Sequence, residues 1–285
     1  RIRAAVVRRG LDMIEKLAEE GGEPWDRFVR DFGNVLKEGI IEDPEHRERI
    51  AGLLRFASTE SPQPRSVALG GAAERARERV DTEEAGAIWY LVADSLEQAR
   101  TSPHLEAFRA AGVEVLLLGD PIDAWLVNHL DEFDGVALKS AASGEFQGPG
   151  RGEEDTTDRE AESELAARIS EALGERVGEV RVSRRLTESA ACIAEPTDGM
   201  TLQMRRMLRQ AGQEVPEAAP DLEVNPGHAL VRRLRGEDDP DRFRALAEVL
   251  LDQALLVQGG ELADPAGFVR RVNRLLAGEA EPGAD

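Results

Sequence analysis

The apolar positions of the first twenty residues recur with a helical period. Ile2, Val6, Gly10, Met13 and Leu17 are spaced by four, four, three and four, one stripe of a helix over residues 1–19. Gly21-Gly22 ends it. A second helix is predicted over 24–38, turning Trp25, Phe28, Val29, Phe32, Val35 and Leu36 inward, with Gly39 behind it. A third, over 44–57, carries Ile50, Leu53, Leu54 and Phe56. The loop Ser58-Thr59-Glu60-Ser61-Pro62-Gln63-Pro64 follows.

Further along, the pattern shortens. Ile88–Ala93, Val113–Leu118 and Val136–Ser140 are compact apolar runs that read as buried strands. Helical material lies between them. One stretch runs from a cap at Ser95 or Ser102 to Ala111, closed by Gly112; the other runs from Pro121 to Phe133, ahead of Asp134-Gly135. Strands separated by single helices predict a parallel sheet with right-handed crossovers. Residues 142–160 are glycine-rich and acidic, the composition of a flexible linker. Beyond them come a helix at 161–174, strands at Val177–Ser183 and Ala190–Glu195, a helix at 199–211, a loop at Pro216–Asn225, and helices at 240–257 and 265–277.

The expected fold class is therefore α/β, α+β overall. Residues 1–65 form a helical part and 66–141 a small α/β/α three-layer subdomain with parallel strands. Residues 142–155 are the linker and 156–285 an α+β domain ending in a helix pair. The helical pattern already runs at residue 2 and no initiator Met precedes it, so the expected start is a cut through a longer protein.

Composition narrows the function classes. A net charge of −20 argues against non-specific nucleic-acid binding, which needs Lys and Arg to neutralise phosphates. No apolar run approaches the roughly 18 to 20 residues of a membrane span, and the first residues do not form a signal peptide. Cys192 is the single cysteine, which excludes an intrachain disulfide and favours a reducing, cytoplasmic setting.

No catalytic constellation stands out in the sequence. His46, His104, His129 and His228 are dispersed, without metal-ligand spacing, and His104 reads as structural. Cys192 lies in the apolar run Ala190–Ala194 and reads as an inert buried thiol. The turns after the first two central strands, Ala93-Asp94-Ser95-Leu96 and Gly119-Asp120-Pro121, lack the glycines that bring backbone N–H groups to a phosphate, and Asp120 would repel one. Neither a catalytic residue, a cofactor site nor a metal site is assigned.

Methionine placement is more informative. Met200, Met204 and Met207 are three of four in the chain, and with Leu208 they fall at i, i+4, i+7 and i+8 on one helix face, flanked by Arg205, Arg206 and Arg209. Clustered Met makes an adaptable contact surface, whereas ordinary cores use Leu, Ile and Val. The stripe is either an exposed contact surface or core. Trp125 and Asn128, at i and i+3, are likewise either a partner-binding pair or part of a core. In the last two helices Phe243, Leu246, Leu250, Ala254 and Val257 form one stripe, widened by Leu251 and Leu255, and Phe268, Val272, Leu275 and Leu276 form another. They pack either within the chain or against a second copy.

Several strings resemble the ninety-kilodalton heat-shock chaperone family in its bacterial form. They are Val35-Leu36-Lys37-Glu38-Gly39, Leu53–Thr59, Ser102-Pro103-His104-Leu105-Glu106, Glu114–Leu118, Asp131–Gly135 and Leu250–Leu256, and they keep the family's order over nearly the whole chain. Two regions depart from the family pattern. Gly70-Gly71-Ala72-Ala73 stands where an acidic-aromatic helix start is expected, and the linker is short.

The resemblance implies the end of a middle domain joined to a dimerisation domain. ATP and magnesium would belong to the full-length parent, a stress-response chaperone, and this chain would not be an enzyme. It implies a homodimer that binds and remodels non-native client proteins and cooperates with other chaperones. Trp125, Asn128, Met200, Met204, Met207 and Leu208 would face clients. The stripes of the last two helices would form an intermolecular four-helix bundle. The alternatives are an α/β enzyme with an unrecognised site, or a dimerising scaffold without client binding.

Overall fold

The computed structural model describes residues 2–61, 63–79, 86–146, 148, 156–194, 205, 208–209, 212–213 and 219–277. The chain divides into two compact units, residues 1–100 with 113–141, and residues 101–112 with 142–285.

In the first unit, α1 (Ile2–Glu20) and α2 (Gly22–Glu42) meet at Gly21 and Gly22, both with left-handed φ. Few residues but glycine hold that conformation in succession. The inward face of α1 is Val7, Leu11, Ile14, Leu17 and Ala18; of the expected stripe Leu17 packs on the core, whereas Val6 and Met13 are exposed. On α2, Trp25, Val29, Leu36 and Ile40 are buried; Phe32 and Val35, expected inward, are exposed. The apolar arc of α2 is wider than the surface its neighbours α1 and α3 (Arg47–Leu53) cover. Phe32 meets the Phe28 ring at 5.3 Å but stays exposed on its other side.

The third helix stops at Leu53, short of the expected 57. Leu54 is extended, and Arg55–Ser58 forms β1. The run Leu53-Leu54-Arg55-Phe56-Ala57 has no decisive period, and sheet pairing settles it as a strand. β2 (Val67–Ala68) pairs with β1, and α4 (Leu69–Glu78) starts directly behind it at the glycine pair. The central strands are β3 (Ile88–Val92), β4 (Val115–Leu118) and β6 (Val136–Ser140), close to their expected bounds.

The expected helix from Pro121 to Phe133 is only α7 (Asp123–Leu126) with turns after it. Glu132–Phe133 is β5, joined to β6 by a hairpin whose turn residues Asp134 and Gly135 both have φ near +60°. That is the geometry Asp-Gly favours in a two-residue hairpin. The sheet order is β2-β1-β4-β3-β6-β5. β3 is parallel to both β4 and β6, as expected; β1 is antiparallel to β2 and β4, and β5 to β6.

In the second unit, residues 101–112 comprise a 3-10 turn, Pro103–Leu105, and α6 (Glu106–Ala111), preceded in the chain by α5 (Leu96–Thr101). Their contacts with this unit include the following two. The Glu106 carboxylate accepts from three successive backbone N–H groups, of Thr187, Glu188 and Ser189, at 2.6–3.0 Å. Phe108 stacks on Phe146 at 4.2 Å.

α8 (Thr156–Leu173) leads to a three-stranded sheet of order β7-β9-β8, made of Val180–Val182, Asp221–Val224 and Ala191–Ala194. The central strand β9 lies inside the segment expected to be a loop. Asp221-Leu222-Glu223-Val224 is short and half charged, yet Leu222 and Val224 are completely buried. Pairing on both edges overrides its weak local signal.

α9 (Ala229–Arg235), α10 (Pro240–Val257) and α11 (Pro265–Ala277) complete the unit. Asp239 caps α10, accepting from the N–H groups of Asp241 and Arg242 ahead of Pro240. An acceptor before a first-turn proline is a strong helix start, which explains why this boundary is legible in the sequence. The mixed α+β class holds for both units.

Candidate contact surfaces and the Lys37 cluster

The side chains expected to face clients are placed as follows. Trp125 is 36% exposed at the end of α7. Asn128 beside it is exposed, its amide donating to the Ala124 carbonyl at 2.8 Å. The carbonyl of Trp125 lies 2.9 Å from His129 Nδ1. Trp125 and Asn128 thus form one surface spot. Leu208 is half-buried in a helical stretch with Arg205 and Arg209, whereas Met200, Met204 and Met207 lie outside the described residues.

The stripe of α10 divides. Phe243, Leu246, Leu250 and Ala254 are buried in this chain's own core with Leu165, Ile169 and Leu173 of α8 and Ile193 and Leu222 of the sheet. Leu250 is 1% exposed. Val257 is exposed, as is Leu256 beside it, and on α11 Val269 and Leu276 are exposed too. Phe268, Val272 and Leu275 are half-buried, Leu275 packing on the core. The physical reason is the width of the apolar arc on α10. Its middle turns face the sheet and α8, and only its last turn stays open.

The residues set aside as structural have structural surroundings. His46 lies 3.0 Å from Asp43, and His228 caps α9 by accepting from the Leu230 N–H. His104 is buried, 3.3 Å from the Gln258 amide, and burial with the nearby Arg185 charge pushes its pKa well below the ordinary imidazole value. Burial pushes the Cys192 thiol up to about 12, against the pull of Arg185. Such a thiol is protonated and unreactive at neutral pH.

Sequence reasoning passed over one site. Lys37, expected only as part of a family string, is 3% exposed inside the first unit. Its Nζ lies 2.7 Å from Asp120 and 2.6 Å from the fully buried Asp123. Arg65 reaches the same Asp120 oxygen at 3.3 Å and donates to the carbonyls of Val29 and Arg30 and to Asn34. Its backbone is left-handed, with φ of 56°, an uncommon conformation for a residue with a side chain. Gly33 makes room, since a Cβ there would sit 3.2 Å from the Arg65 guanidinium.

The two acids respond in opposite ways. Burial alone would raise Asp120, but Lys37 and Arg65 outweigh it and hold its pKa below the usual carboxylate value. For Asp123 burial wins over Lys37, and its pKa is raised. Asp120, read from sequence as a charge that would repel a phosphate, meets two cations, Lys37 and Arg65.

The family strings agree with the comparisons. The Hsp90 protein family matches residues 1–283, and the chain belongs to it. Chaperone protein HtpG of Halorhodospira halophila is 48% identical over 283 residues, covering 97% of this chain and 44% of that protein. Chaperone proteins HtpG of Shewanella halifaxensis and Shewanella pealeana are each 44% identical over 284 residues, 96% of this chain and 43% of theirs. The chain therefore spans less than half the length of these relatives. Among the described residues no helix is long and apolar enough to cross a membrane.

Proposed function

We propose that this chain is the client-holding and dimerising part of an ATP-driven chaperone, acting in the cytoplasm as a homodimer and alongside other chaperones. The observation that carries the reading is a set of exposed apolar side chains along the last helix pair. Leu256, Val257, Val269 and Leu276 are exposed at 45–81% in a chain whose other apolar residues are mostly buried. Exposed apolar side chains along one helix pair are what an isologous contact between two copies needs.

Trp125 with Asn128 supplies a second exposed spot, an aromatic beside a polar group, suited to non-native chains. The Met200–Leu208 stripe extends this reading by its composition. This chain is not itself an ATPase in the proposal, because the turns after β3 and β4 lack a phosphate loop. Calorimetry with ATP and magnesium should register no binding; micromolar affinity would contradict that part.

The dimer is tested at exposed positions. Leu250→Asp is unsuitable, since Leu250 lies in the chain's own core. A Val257→Asp, Leu276→Asp double change alters two exposed side chains, so folding should shift by no more than about 0.5 kcal/mol per site. Sedimentation should show a dimer at low micromolar concentration for the parent chain and a folded monomer for the variant. A variant that still sediments as a dimer places the contact elsewhere. A Trp125→Ala change should weaken suppression of aggregation of an unfolded client with dimerisation intact; unchanged suppression removes Trp125 from the client surface.

A further inference from the structure

The cavity beside Lys37 has no part in the chaperone reading. It encloses about 530 Å3, within the range of small-molecule sites, about 300–1,000 Å3. Its position follows from topology. The chain passes from β3 to β4 on one side and then to β6 on the other, so the connections diverge at the carboxyl ends of β3 and β4. Open sheets bind ligands at such reversals. Leu96 behind β3 and Gly119 behind β4 line the cavity there. A Cβ on Gly119 would come within 2.6 Å of the Leu96 N–H, so only glycine allows this close passage. β1 runs antiparallel to β4 with Ala57 opposite Leu117. The same register carries Arg55, also lining the cavity, to the level of Gly119.

Arg55 is the group the fold leaves incomplete. Its Nη1 donates to the carbonyls of Gly52 and Leu54 at 3.1 and 2.9 Å, and the guanidinium lies 5.1 Å from the centre of the Trp25 ring. No carboxylate pairs with it among the described residues, and burial lowers its pKa from the usual arginine value. The inner acids of the wall, Asp120 and Asp123, are already taken by Lys37 and Arg65. A half-buried guanidinium with donors to spare is costly until an anion meets it. Phe56, Leu96 and Leu117 give the same cavity an apolar side.

We propose that this cavity binds a small organic anion, its phosphate or carboxylate headgroup on Arg55 and its apolar body against Phe56, Leu96 and Leu117. The test titrates the whole chain with phenyl phosphate and with benzoate, each compared with inorganic phosphate, by calorimetry. At least one aromatic anion should bind one to one, about tenfold more tightly than inorganic phosphate. Which of the two binds identifies the headgroup. Arg55→Gln should weaken that binding about tenfold or more, and Arg55→Lys, which keeps the charge but not the planar fork, should weaken it less.

Asp26 is exposed on the cavity rim. Removing its negative charge in Asp26→Asn should tighten binding about two- to threefold. Absence of saturable binding by both aromatic anions, equal binding of inorganic phosphate, or unchanged affinity in Arg55→Gln would each overturn the proposal. If Arg55→Gln lowers the melting temperature, Asp26→Asn decides, and unchanged affinity there is equally fatal.

Discussion

Lys37 in the first unit and Arg185 in the second are both cations with almost no exposure, 3% and 2%. Their surroundings differ. Lys37 stands between two aspartates, one of them raised in pKa, on the wall of an open cavity. Arg185 is enclosed. Its Nε donates to Glu223 at 2.8 Å, and the same carboxylate oxygen accepts from the Ser183 hydroxyl at 3.1 Å. The Ala142 carbonyl and Cys192 Sγ lie on its other side, at 3.5 and 3.9 Å. One cluster holds an acid of raised pKa on the wall of a cavity; the other is enclosed. The cost of breaking a buried ion pair depends on that difference, because the orphaned charge must either neutralise or stay buried.

The comparison breaks most visibly at Glu223. Glu223→Gln removes the buried carboxylate charge that Arg185 Nε and the Ser183 hydroxyl share, and the expected loss is about 3 to 5 kcal/mol of unit-two stability. All three tryptophans, Trp25, Trp89 and Trp125, lie in the first unit. Denaturant unfolding followed by circular dichroism should therefore shift more than the same unfolding followed by tryptophan fluorescence. A loss under 1 kcal/mol would mean that Arg185 is solvated after all.

Lys37→Met should cost less, about 1 to 3 kcal/mol, read this time by tryptophan fluorescence. Arg65 still holds Asp120, and Asp123 can take up a proton. The deficit should narrow as the pH is lowered toward the carboxylate range, since the raised pKa of Asp123 favours its neutral form. A deficit as large as that of Glu223→Gln would erase the distinction between the clusters.

The smallest effect belongs to His104. Its pKa is lowered in the folded chain, so below the unfolded value near 6.5 the unfolded state binds the extra proton. Stability is fully present above that pH and is lost on acidification, by about 1.4 kcal/mol per pH unit until the folded pKa is reached. His104→Asn should flatten the stability profile of the second unit between pH 6.5 and 5.5, without altering it at pH 8. An unchanged slope would mean that other groups carry the acid sensitivity.

Legibility followed local signal strength. The two C-terminal helices were readable to the residue because α10 starts with an Asp cap and Pro, and α11 with Asp264 and Pro265. The three strands at the centre of the first sheet were readable because they are bounded apolar runs. β9 and β1 were not, the first being half charged and the second continuing an apolar helix without a break. Trp125 and Asn128 were recognisable as a pair, but not as an exposed one. Lys37 gave no local signal at all, because its two partners lie more than eighty residues away.

The sequence by itself determined the family, the order of most elements, and which residues are apolar enough to be buried or to make contacts. Periodicity, caps and turn residues act over a few positions, so they can be read one segment at a time. Only the tertiary structure decided which apolar face is covered. Leu250 is core while Val257, seven residues on, is open, and Phe32 and Val35 are exposed on a helix whose Trp25, Val29, Leu36 and Ile40 are buried. It also decided that Lys37 is buried and that, among the described residues, no carboxylate pairs with Arg55. Both outcomes depend on what the sheet brings alongside each side chain, and long-range pairing sets that free energy.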